Sequence, residues 1–183
     1  MNPTRAGFLD ALTHLGARIQ LDLKREAQAG PGGEPVGDLS ATAQRLRGAE
    51  LEGDLVLRAI DEVPILAVLG ALAGGTTVIR GAAELRVKES DRLAQMAQGL
   101  RAMGAQVEEL PDGLRIAGPG GGRPLHGAEI DSAHDHRIAL AFTVAALAAD
   151  SPTVISGAEW ADVSFPGFFE LLRSLGAEVE LLP

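Results

Sequence analysis

The segment LRAMGAQVEEL, residues 100–110, has two close copies in this chain. They are LTHLGARIQL at residues 12–21 and LRSLGAEVELL at residues 172–182. In all three, apolar residues stand one, four, seven and eight positions before the glycine of a Gly-Ala pair, at Gly16, Gly104 and Gly176. That spacing is one face of a helix, and glycine is the usual residue just past a helix end. Alternating residues follow each glycine, so each copy predicts a helix, a glycine stop and a strand.

A second block is repeated between these copies. DEVPILAVLGALAGGTTVIRGA (residues 61–82) matches DHRIALAFTVAALAADSPTVISGA (residues 135–158). Each predicts an apolar helix, a turn and a short β-branched strand. Two units therefore carry both halves of a helix–strand–helix–strand repeat with further short strands between, whereas the unit ending near Leu21 carries only its second half. We expect a missing upstream half-repeat, and an atypical terminal unit that caps the array is the alternative.

Length, composition and charge exclude several classes of protein. The 183 residues predict one domain, residues 1–183, with a sizeable core. The net charge of −9 argues against nucleic acid or an anionic membrane as a partner, so any bound anion must meet a local cationic cluster. The chain has no cysteine, which excludes disulfides and thiolate chemistry within it. The longest apolar run, residues 63–75, is too short to cross a bilayer, and no signal peptide follows Met1, so we expect a cytoplasmic protein.

Two Gly/Pro-rich segments, residues 29–35 and 117–124, are typical of exposed loops. The second lacks the Gly-Lys-Ser/Thr ending of a P-loop and does not open a helix. A loop is therefore favoured over a phosphate-binding cradle.

The segment ELRVKESDRL, residues 84–93, places six charged side chains in ten positions. A helical stripe begins at Leu93, which puts Ser90 or Asp91 at or near the N-cap. Free backbone N–H groups and the helix dipole make such a start attractive to anions.

Two cations stand at this predicted helix start. Arg92 is suited to bidentate contacts with phosphate or carboxylate, and Lys88 adds a point charge or a proton. Glu89 between them is either a structural neutraliser or a proton carrier. A capped and solvated helix start is the competing interpretation.

The segment EIDSAHDHRIALAF, residues 129–142, repeats this arrangement before a second apolar helix. Arg137 falls in the first turn of that helix, with His136 beside it and Asp135 before it. The His and Asp residues match no metal-ligand spacing, and an adjacent arginine disfavours a dication. We expect an anion at this helix start and no metal, with structural capping as the competitor.

A third acidic helix start precedes the apolar run at residues 63–75. Asp61 and Glu62 stand there, and Pro64 fits the first turn. Acidic residues are common at helix starts, so the simple interpretation is that Asp61 and Glu62 only favour the helix N-terminus. However, repeated units place equivalent helix starts around one axis, and we therefore expect Asp61, Lys88, Arg92 and Arg137 to converge on one cleft.

Four segments together resemble the 5-enolpyruvylshikimate-3-phosphate synthase family. They are NPTRAGFLDALTHLGA (2–17), RVKESDRL (86–93), DHRIALAF (135–142) and SFPGFFELLRSLGA (164–177), in this order. The resemblance covers essentially the whole chain. It implies an α+β (α/β) fold, an alpha-beta prism built from βαβαββ units with the first unit incomplete here. Since the family's chain is about twice as long, in two domains, the resemblance also implies a missing N-terminal part as a partner.

The resemblance implies a reaction of the shikimate pathway to chorismate and aromatic amino acids. An enolpyruvyl group moves from phosphoenolpyruvate to the 5-hydroxyl of shikimate 3-phosphate, with release of phosphate, by addition and then elimination and without metal or organic cofactor. On the matching positions, Asp61 would accept a hydrogen bond or proton from the attacking hydroxyl. Lys88 and Glu89 would share proton transfer at the methylene carbon.

The cationic positions carry over in the same way. Arg92 and Arg137 would hold the anionic groups of phosphoenolpyruvate, with His136 beside them. Two departures from the family pattern affect this set: Val163 stands where many members have lysine, and Glu84 where some have asparagine. The residues that hold most of shikimate 3-phosphate lie upstream in the family, so we expect this chain alone to bind substrates poorly and not to turn over.

Two alternatives remain open at this stage. One is the related enolpyruvyl transferase that acts on UDP-N-acetylglucosamine, which shares the repeat fold; KESDR with DHRIA favours the shikimate enzyme. The other is a non-catalytic repeat domain that docks against a partner through a large exposed apolar face.

Overall fold

A computed structural model describes residues 6–25, 36–42, 44–118 and 125–182. The Gly/Pro-rich segment 29–35 and residues 119–124 of the second such segment lie outside the described residues. Within the described part, no helix is long and apolar enough to cross a membrane.

The chain begins with the second half of a unit. Its elements are α1 (Gly7–His14), β1 (Arg18–Arg25) and β2 (Val36–Thr42), and the two strands form an antiparallel two-stranded sheet. This helix and hairpin match the order helix, strand, strand that ends a unit, and the missing half-repeat before them stays a prediction.

The middle of the chain forms one complete unit. Its elements in order are β3 (Glu50–Leu51), the short helix α2 (Asp54–Arg58), α3 (Val63–Leu72), β4 (Thr76–Ile79), α4 (Arg92–Ala102), β5 (Gln106–Leu110) and β6 (Gly113–Ala117). The four strands make one sheet in the order β3-β4-β6-β5, with β3 and β4 parallel and the other pairs antiparallel. The βαβαββ pattern implied by the resemblance is therefore present here.

A third unit follows with β7 (Glu129–Asp131), α5 (His136–Ala146), β8 (Val154–Ser156) and α6 (Phe168–Ser174). The parallel pair β7-β8 is equivalent to β3-β4. Two 3₁₀ turns occupy equivalent places before α4 and α6, at Ala83–Val87 and Ala158–Val163. The predicted match between residues 61–82 and 135–158 is confirmed by these elements.

The three glycine stops are confirmed. Gly16, Gly104 and Gly176 have φ of 85°, 88° and 92°, the left-handed region in which glycine lacks the Cβ penalty. After each of them the alanine N–H bonds to the carbonyl five residues back, for example from Ala105 to Leu100 at 2.9 Å. This is the Schellman arrangement that satisfies the last free carbonyls of a helix.

The strand predicted after Gly176 was wrong. Residues 177–182 form no strand, although the chain leaves α6 as it leaves α4: Arg173 Nε donates to Val179 O and Arg101 Nε donates to Val107 O, both at 2.9 Å. β1 and β5 each pair with the following strand, and no strand among the described residues lies beside 177–182. A strand needs a partner for its backbone groups, which local sequence cannot supply.

The core lies between α3, α4 and α5, which pack against one another. The first two turns of α3 are buried almost all round, with Val63, Leu66, Ala67 and Val68 at most 1% exposed. A Cβ on Gly99 of α4 would lie 2.2 Å from Cζ of Phe142 of α5, so the absence of a side chain there permits close helix packing. The starting residues of these three helices also meet, at one end of the core, where ion pairs join them.

Candidate active site

Charged side chains from the starts of α3, α4 and α5 meet at this end of the core. We call them the charge cluster: Asp61, Glu62, Glu89, Arg92, Asp135 and Arg137. Each is linked to another member by an ion pair with an N–O distance of 2.6–3.9 Å. The convergence expected from repeat symmetry is therefore present for Asp61, Arg92 and Arg137.

Arg92 stands at the centre of the charge cluster and is only 2% exposed. Its Nε and Nη2 donate to Oδ2 and Oδ1 of Asp135 at 2.8 and 3.2 Å, a bidentate pair. Nη2 also donates to Glu89 Oε2 at 2.6 Å, and Nη1 lies 3.8 Å from Asp61 Oδ1. The structure thus places Arg92 inside the protein, with its guanidinium held by three carboxylates, rather than on an open surface.

Asp135 is fully buried and caps α5. Its carboxylate accepts hydrogen bonds from Arg92, from Ser90 Oγ at 2.9 Å and from the backbone N–H of Arg137 at 2.9 Å. Burial alone would raise the pKa of Asp135, but the hydrogen bonds from Arg92 and Ser90 and the Arg92 charge outweigh it, so the pKa lies below its usual value. Asp135 therefore joins the starts of α4 and α5 through one ionised group.

Asp61 lies between the two arginines. Its Oδ1 is 3.8 Å from Arg92 and its Oδ2 is 3.9 Å from Arg137 Nη2, and its side chain is 23% exposed. Arg137 also donates to Glu62 Oε1 at 3.4 Å and is 31% exposed. Arg137 is therefore the more accessible of the two guanidiniums.

The predicted helix starts are confirmed in detail. Asp91 is the N-cap of α4, and its Oδ1 accepts from the Ala94 N–H at 3.0 Å. Pro64 lies in the first turn of α3, as predicted. The sequence therefore predicts the helix starts that carry the side chains of the charge cluster.

Lys88 is placed differently from the other cations. Its Nζ pairs with Glu84, four residues earlier, and its side chain is 27% exposed. The neighbouring Glu89 turns toward Arg92 instead. The Lys88 ammonium thus contacts a residue of its own segment. That partner, Glu84, stands where some members of the family have asparagine.

Arg86 fixes the segment that carries Lys88 and Glu89, a role that sequence analysis missed. Its Nε donates to Pro111 O at 2.8 Å, in the turn after β5, and its Nη2 donates to Leu110 O at 2.6 Å, at the end of β5. It also pairs with Glu109 and Asp91 at 2.9 and 3.0 Å. In the sequence, Arg86 is marked only by its position in a segment dense in charges of both signs. That position does not show that most of its partners lie on the β5–β6 hairpin.

The loop before α5 has an unusual backbone. Ala133 and His134 have positive φ, 52° and 58°, and the Asp131 carboxylate accepts from the Ala133 N–H at 2.8 Å. The His134 ring packs against Trp160 with centroids 5.4 Å apart. Non-glycine residues hold such a conformation only when their surroundings enforce it. His136 is the half-buried first residue of α5.

Val163 ends the 3₁₀ turn Ala158–Val163 and is 65% exposed. It brings no charge to the place where the family resemblance implies lysine. Four carboxylates and two guanidiniums make up the charge cluster, so its own side chains sum to a negative charge. The expectation of a strongly cationic local site is therefore only partly met. The helix dipoles of α3, α4 and α5 add partial positive charge at their starts.

A groove of about 160 Å³ runs from the charge cluster along α3 and α5. Its polar end is formed by Asp61, Glu62 and Arg137. Its other lining residues are apolar: Pro64, Ile65, Leu140, Ala141, Val144, Phe165 and Phe168. Among the described residues, no three His, Cys, Asp or Glu side chains are grouped to hold a metal ion.

Comparison with known proteins gives a consistent family. The model for EPSP synthase (3-phosphoshikimate 1-carboxyvinyltransferase) matches residues 1–172. A 3-phosphoshikimate 1-carboxyvinyltransferase from Synechococcus sp. (strain JA-3-3Ab) is 55% identical over 175 residues, which are 96% of this chain and 38% of that protein. One from Desulforudis audaxviator (strain MP104C) is 52% identical over 178 residues, 97% of this chain and 40% of that protein.

Solved structures agree. An EPSP synthase from Acinetobacter baumannii superposes with a TM-score of 0.90 at 43% identity, over 98% of this chain and 41% of that one. The enolpyruvyl transferase NikO from Streptomyces tendae gives a TM-score of 0.69 at 27% identity, over 96% of this chain and 36% of that one. The chain thus spans about two fifths of the length of these relatives.

Proposed function

The chain belongs to the EPSP synthase family, and on that premise we propose that it supplies one wall of an active site that transfers an enolpyruvyl group. The donor is phosphoenolpyruvate, the acceptor is the 5-hydroxyl of shikimate 3-phosphate, and the by-product is phosphate. The expected setting is the cytoplasmic shikimate pathway to chorismate and aromatic amino acids.

One observation carries this proposal: a carboxylate, Asp61, lies between two guanidiniums at the meeting point of three helix starts. The reaction joins two polyanions, so it needs positive groups that reduce their repulsion and a base that takes a hydroxyl proton. Fixed charges and helix N-termini provide the first without reorganisation during the reaction. Asp61 provides the second.

In the addition step, Asp61 accepts the proton of the 5-hydroxyl as that oxygen attacks C2 of phosphoenolpyruvate. A new C–O bond forms at C2 while the C2–C3 double bond takes up a proton at the methylene carbon. Lys88 and Glu89 are the proposed proton carriers for that carbon. The product of this step is a tetrahedral intermediate that still bears the phosphate.

In the elimination step, the methyl group formed at C3 loses a proton, the double bond is restored and the C2–O bond to phosphate breaks. That proton returns to Lys88 or Glu89, and inorganic phosphate leaves with the C2–O electrons and takes up the proton that Asp61 accepted from the 5-hydroxyl. Arg137 offers the more exposed guanidinium to the donor's anionic groups. Arg92 also acts there in our proposal, through Nη1, since its other nitrogens are held by Asp135 and Glu89.

The site is proposed to need polypeptide that matches the remaining three fifths of the relatives. The charge cluster is acidic on balance, and Val163 brings no cation. Further positive groups and the contacts to shikimate 3-phosphate are expected from that polypeptide. The 183-residue chain by itself should therefore release no phosphate from the two substrates.

The proposal is tested in a chimaera. This chain replaces the matching 175 residues of the Synechococcus sp. relative, and phosphate release is measured with phosphoenolpyruvate and shikimate 3-phosphate. We expect turnover in the chimaera and a loss of about 10²–10⁴-fold in kcat for Asp61→Asn. Asp54→Asn, an exposed carboxylate on α2, is the matched control and should leave kcat unchanged.

Two outcomes would overturn the proposal. One is a chimaera that folds cooperatively and stays inactive while the parent enzyme turns over. The other is turnover with UDP-N-acetylglucosamine in place of shikimate 3-phosphate, which would assign the chain to the related transferase.

A further inference from the structure

Lys88 and Glu89 lie on a short loop between two elements of the middle unit. We call residues 87–90 the Lys88 loop. It runs from the end of the 3₁₀ turn Ala83–Val87 to Asp91, the N-cap of α4. The place of both proposed proton carriers therefore depends on what holds the two ends of this loop.

The turn of the β5–β6 hairpin holds the chain that leads into the Lys88 loop. The side chain of Asp112 accepts a hydrogen bond from the Gly81 N–H at 2.9 Å, and its carbonyl accepts one from the Ala82 N–H at 2.7 Å. Leu85, in the 3₁₀ turn, is fully buried. The path from β4 to Arg86 is thus fixed by backbone hydrogen bonds and by packing.

Arg86 joins the first end of the Lys88 loop to the same hairpin. Its Nε and Nη2 donate to the carbonyls of Pro111 and Leu110, and its Nη1 donates to Glu109 Oε1 at 2.9 Å. The planar guanidinium makes these contacts in fixed directions, which the single ammonium of a lysine cannot reproduce together. The hairpin therefore fixes the orientation of Arg86 as well as its position.

Arg86 also closes the base of the Lys88 loop. Its Nη1 lies 3.0 Å from Oδ2 and 3.3 Å from Oδ1 of Asp91, five residues later in the chain. At the far end of the loop, Ser90 Oγ donates to the buried Asp135. Val87 is 81% exposed, so its side chain packs little against the core. One guanidinium thus links the hairpin, the loop and the start of α4.

The third unit has a contact at the equivalent place. When the repeat match is extended toward the helix, Asp162 and Gly167 stand where the middle unit has Arg86 and Asp91. Gly167 is likewise the N-cap of α6, and its N–H donates to Asp162 Oδ1 at 3.2 Å. A contact between these two positions is therefore a feature of the repeat, and the middle unit adds a link to its hairpin.

We propose that Arg86 is a positioning residue for proton transfer at the methylene carbon of the donor, acting through Lys88 and Glu89. This inference rests on the proposed function. Arg86 contacts the hairpin and the start of α4, and through them it sets the distance of both carriers from that carbon. A misplacement of about 1 Å at a reacting group can cost about 10²-fold in rate, so a loop held at only one end would transfer protons slowly.

The isolated chain tests the anchoring without catalysis. Backbone ¹⁵N relaxation is measured at Lys88 and Glu89 in the unchanged chain and in Arg86→Met. We expect order parameters of about 0.85 in the unchanged chain and below about 0.6 in Arg86→Met, with those of α4 unaltered. Equal order parameters in the two proteins would overturn the proposal, and so would a Lys88 loop that is already flexible in the unchanged chain.

The chimaera described above tests the effect on catalysis. Arg86→Met should lower kcat about 10–100-fold and change the KM for shikimate 3-phosphate by less than about twofold. In a Lys88→Met background the same substitution should lower kcat by less than about threefold, because residues that act as one unit have non-additive effects. A loss by the same factor in both backgrounds would overturn the proposal, since a purely structural role would affect both equally.

Two further variants complete the test. Arg86→Lys keeps the charge but not the fork of donors, so it serves where Arg86→Met does not fold, and its kcat should lie below that of the unchanged chimaera. Arg101→Met is the matched control, because Arg101 Nε also donates to a carbonyl of β5, Val107 O at 2.9 Å. It should leave kcat and the order parameters unchanged. An inactive chimaera would overturn the proposed function, and the order parameters would then decide the role of Arg86, so the two failures are distinguishable.

Discussion

Arg92 is an anion-binding residue by its sequence pattern, and in the fold it also has a structural role. Its charge would be costly at 2% exposure without partners, and Asp135 is the main one. Breaking such a pair leaves an uncompensated buried charge, whereas replacing both partners removes the cost. The pair therefore makes a clear prediction about stability.

We expect Arg92→Met and Asp135→Asn each to lower the free energy of unfolding by about 3–5 kcal/mol. The double variant should lose less than the sum of the two by about 1–3 kcal/mol. Urea denaturation of the four proteins measures this coupling. The exposed pair Arg58–Asp54 is the control and should show a much smaller coupling. Additive losses at Arg92 and Asp135 would contradict the account.

Asp135 also predicts a pH dependence. Its pKa is lowered in the folded protein, so unfolding takes up a proton as the pH falls below the unfolded value of about 3.9. The stabilisation from its charge is fully present above about pH 4 and is lost as the pH falls through the lower folded value. Thermal unfolding between pH 2.5 and 7 should show a shallower acid slope for Asp135→Asn than for the unchanged chain. Parallel slopes would show that Asp135 does not contribute.

The ion pair of Lys88 with Glu84 predicts an effect on donor binding in the active chimaera. Glu84→Gln releases the ammonium, and an exposed pair of this kind is worth about 0.2–1 kcal/mol. The KM for phosphoenolpyruvate should therefore fall by no more than about fivefold, with kcat nearly unchanged. Lys88→Met is the comparison and should lower kcat strongly. A higher KM for Glu84→Gln would mean that Glu84 orients Lys88 productively.

At the level of helices and strands, Gly99 sets the distance between α4 and α5. Gly99→Ala should destabilise the chain by about 1–3 kcal/mol, because the clash with Phe142 outweighs the gain in helix propensity of about 1 kcal/mol. Gly74→Ala is the control, since its Cβ would meet only Leu46 O at 3.7 Å. Chemical denaturation measures both. Equal stability of the two variants would show that α4 and α5 can separate without loss.

Local signals were sufficient for the ends of the helices. The caps Asp91 and Asp135 and the stop at Gly104 depend on hydrogen bonds within a few residues, so the sequence predicts them. The strand after Gly176 depends on a neighbouring strand, and the burial of Arg92 depends on Asp135, which lies 43 residues later in the chain. Neither the strand pairing nor the burial of Arg92 can be predicted from the local spacing of residues.

At the scale of the whole molecule, the repeat brings helix starts with similar sequences together at one site. Because α3 and α5 are equivalent and both touch α4, residues as distant as Asp61 and Arg137 come within 3.9 Å. The sequence predicted this convergence through symmetry. It did not predict that carboxylates would outnumber guanidiniums there, because charge balance at a site depends on side-chain directions that only the fold fixes.

A crystal structure of the chimaera with phosphoenolpyruvate and shikimate 3-phosphate is the most direct measurement of the central claim. We predict an anionic oxygen of the donor within about 3 Å of the Arg137 guanidinium, and the 5-hydroxyl of the acceptor within about 3.2 Å of an Asp61 carboxylate oxygen. Both substrates bound elsewhere, with Asp61 and Arg137 contacting neither of them, would contradict the account.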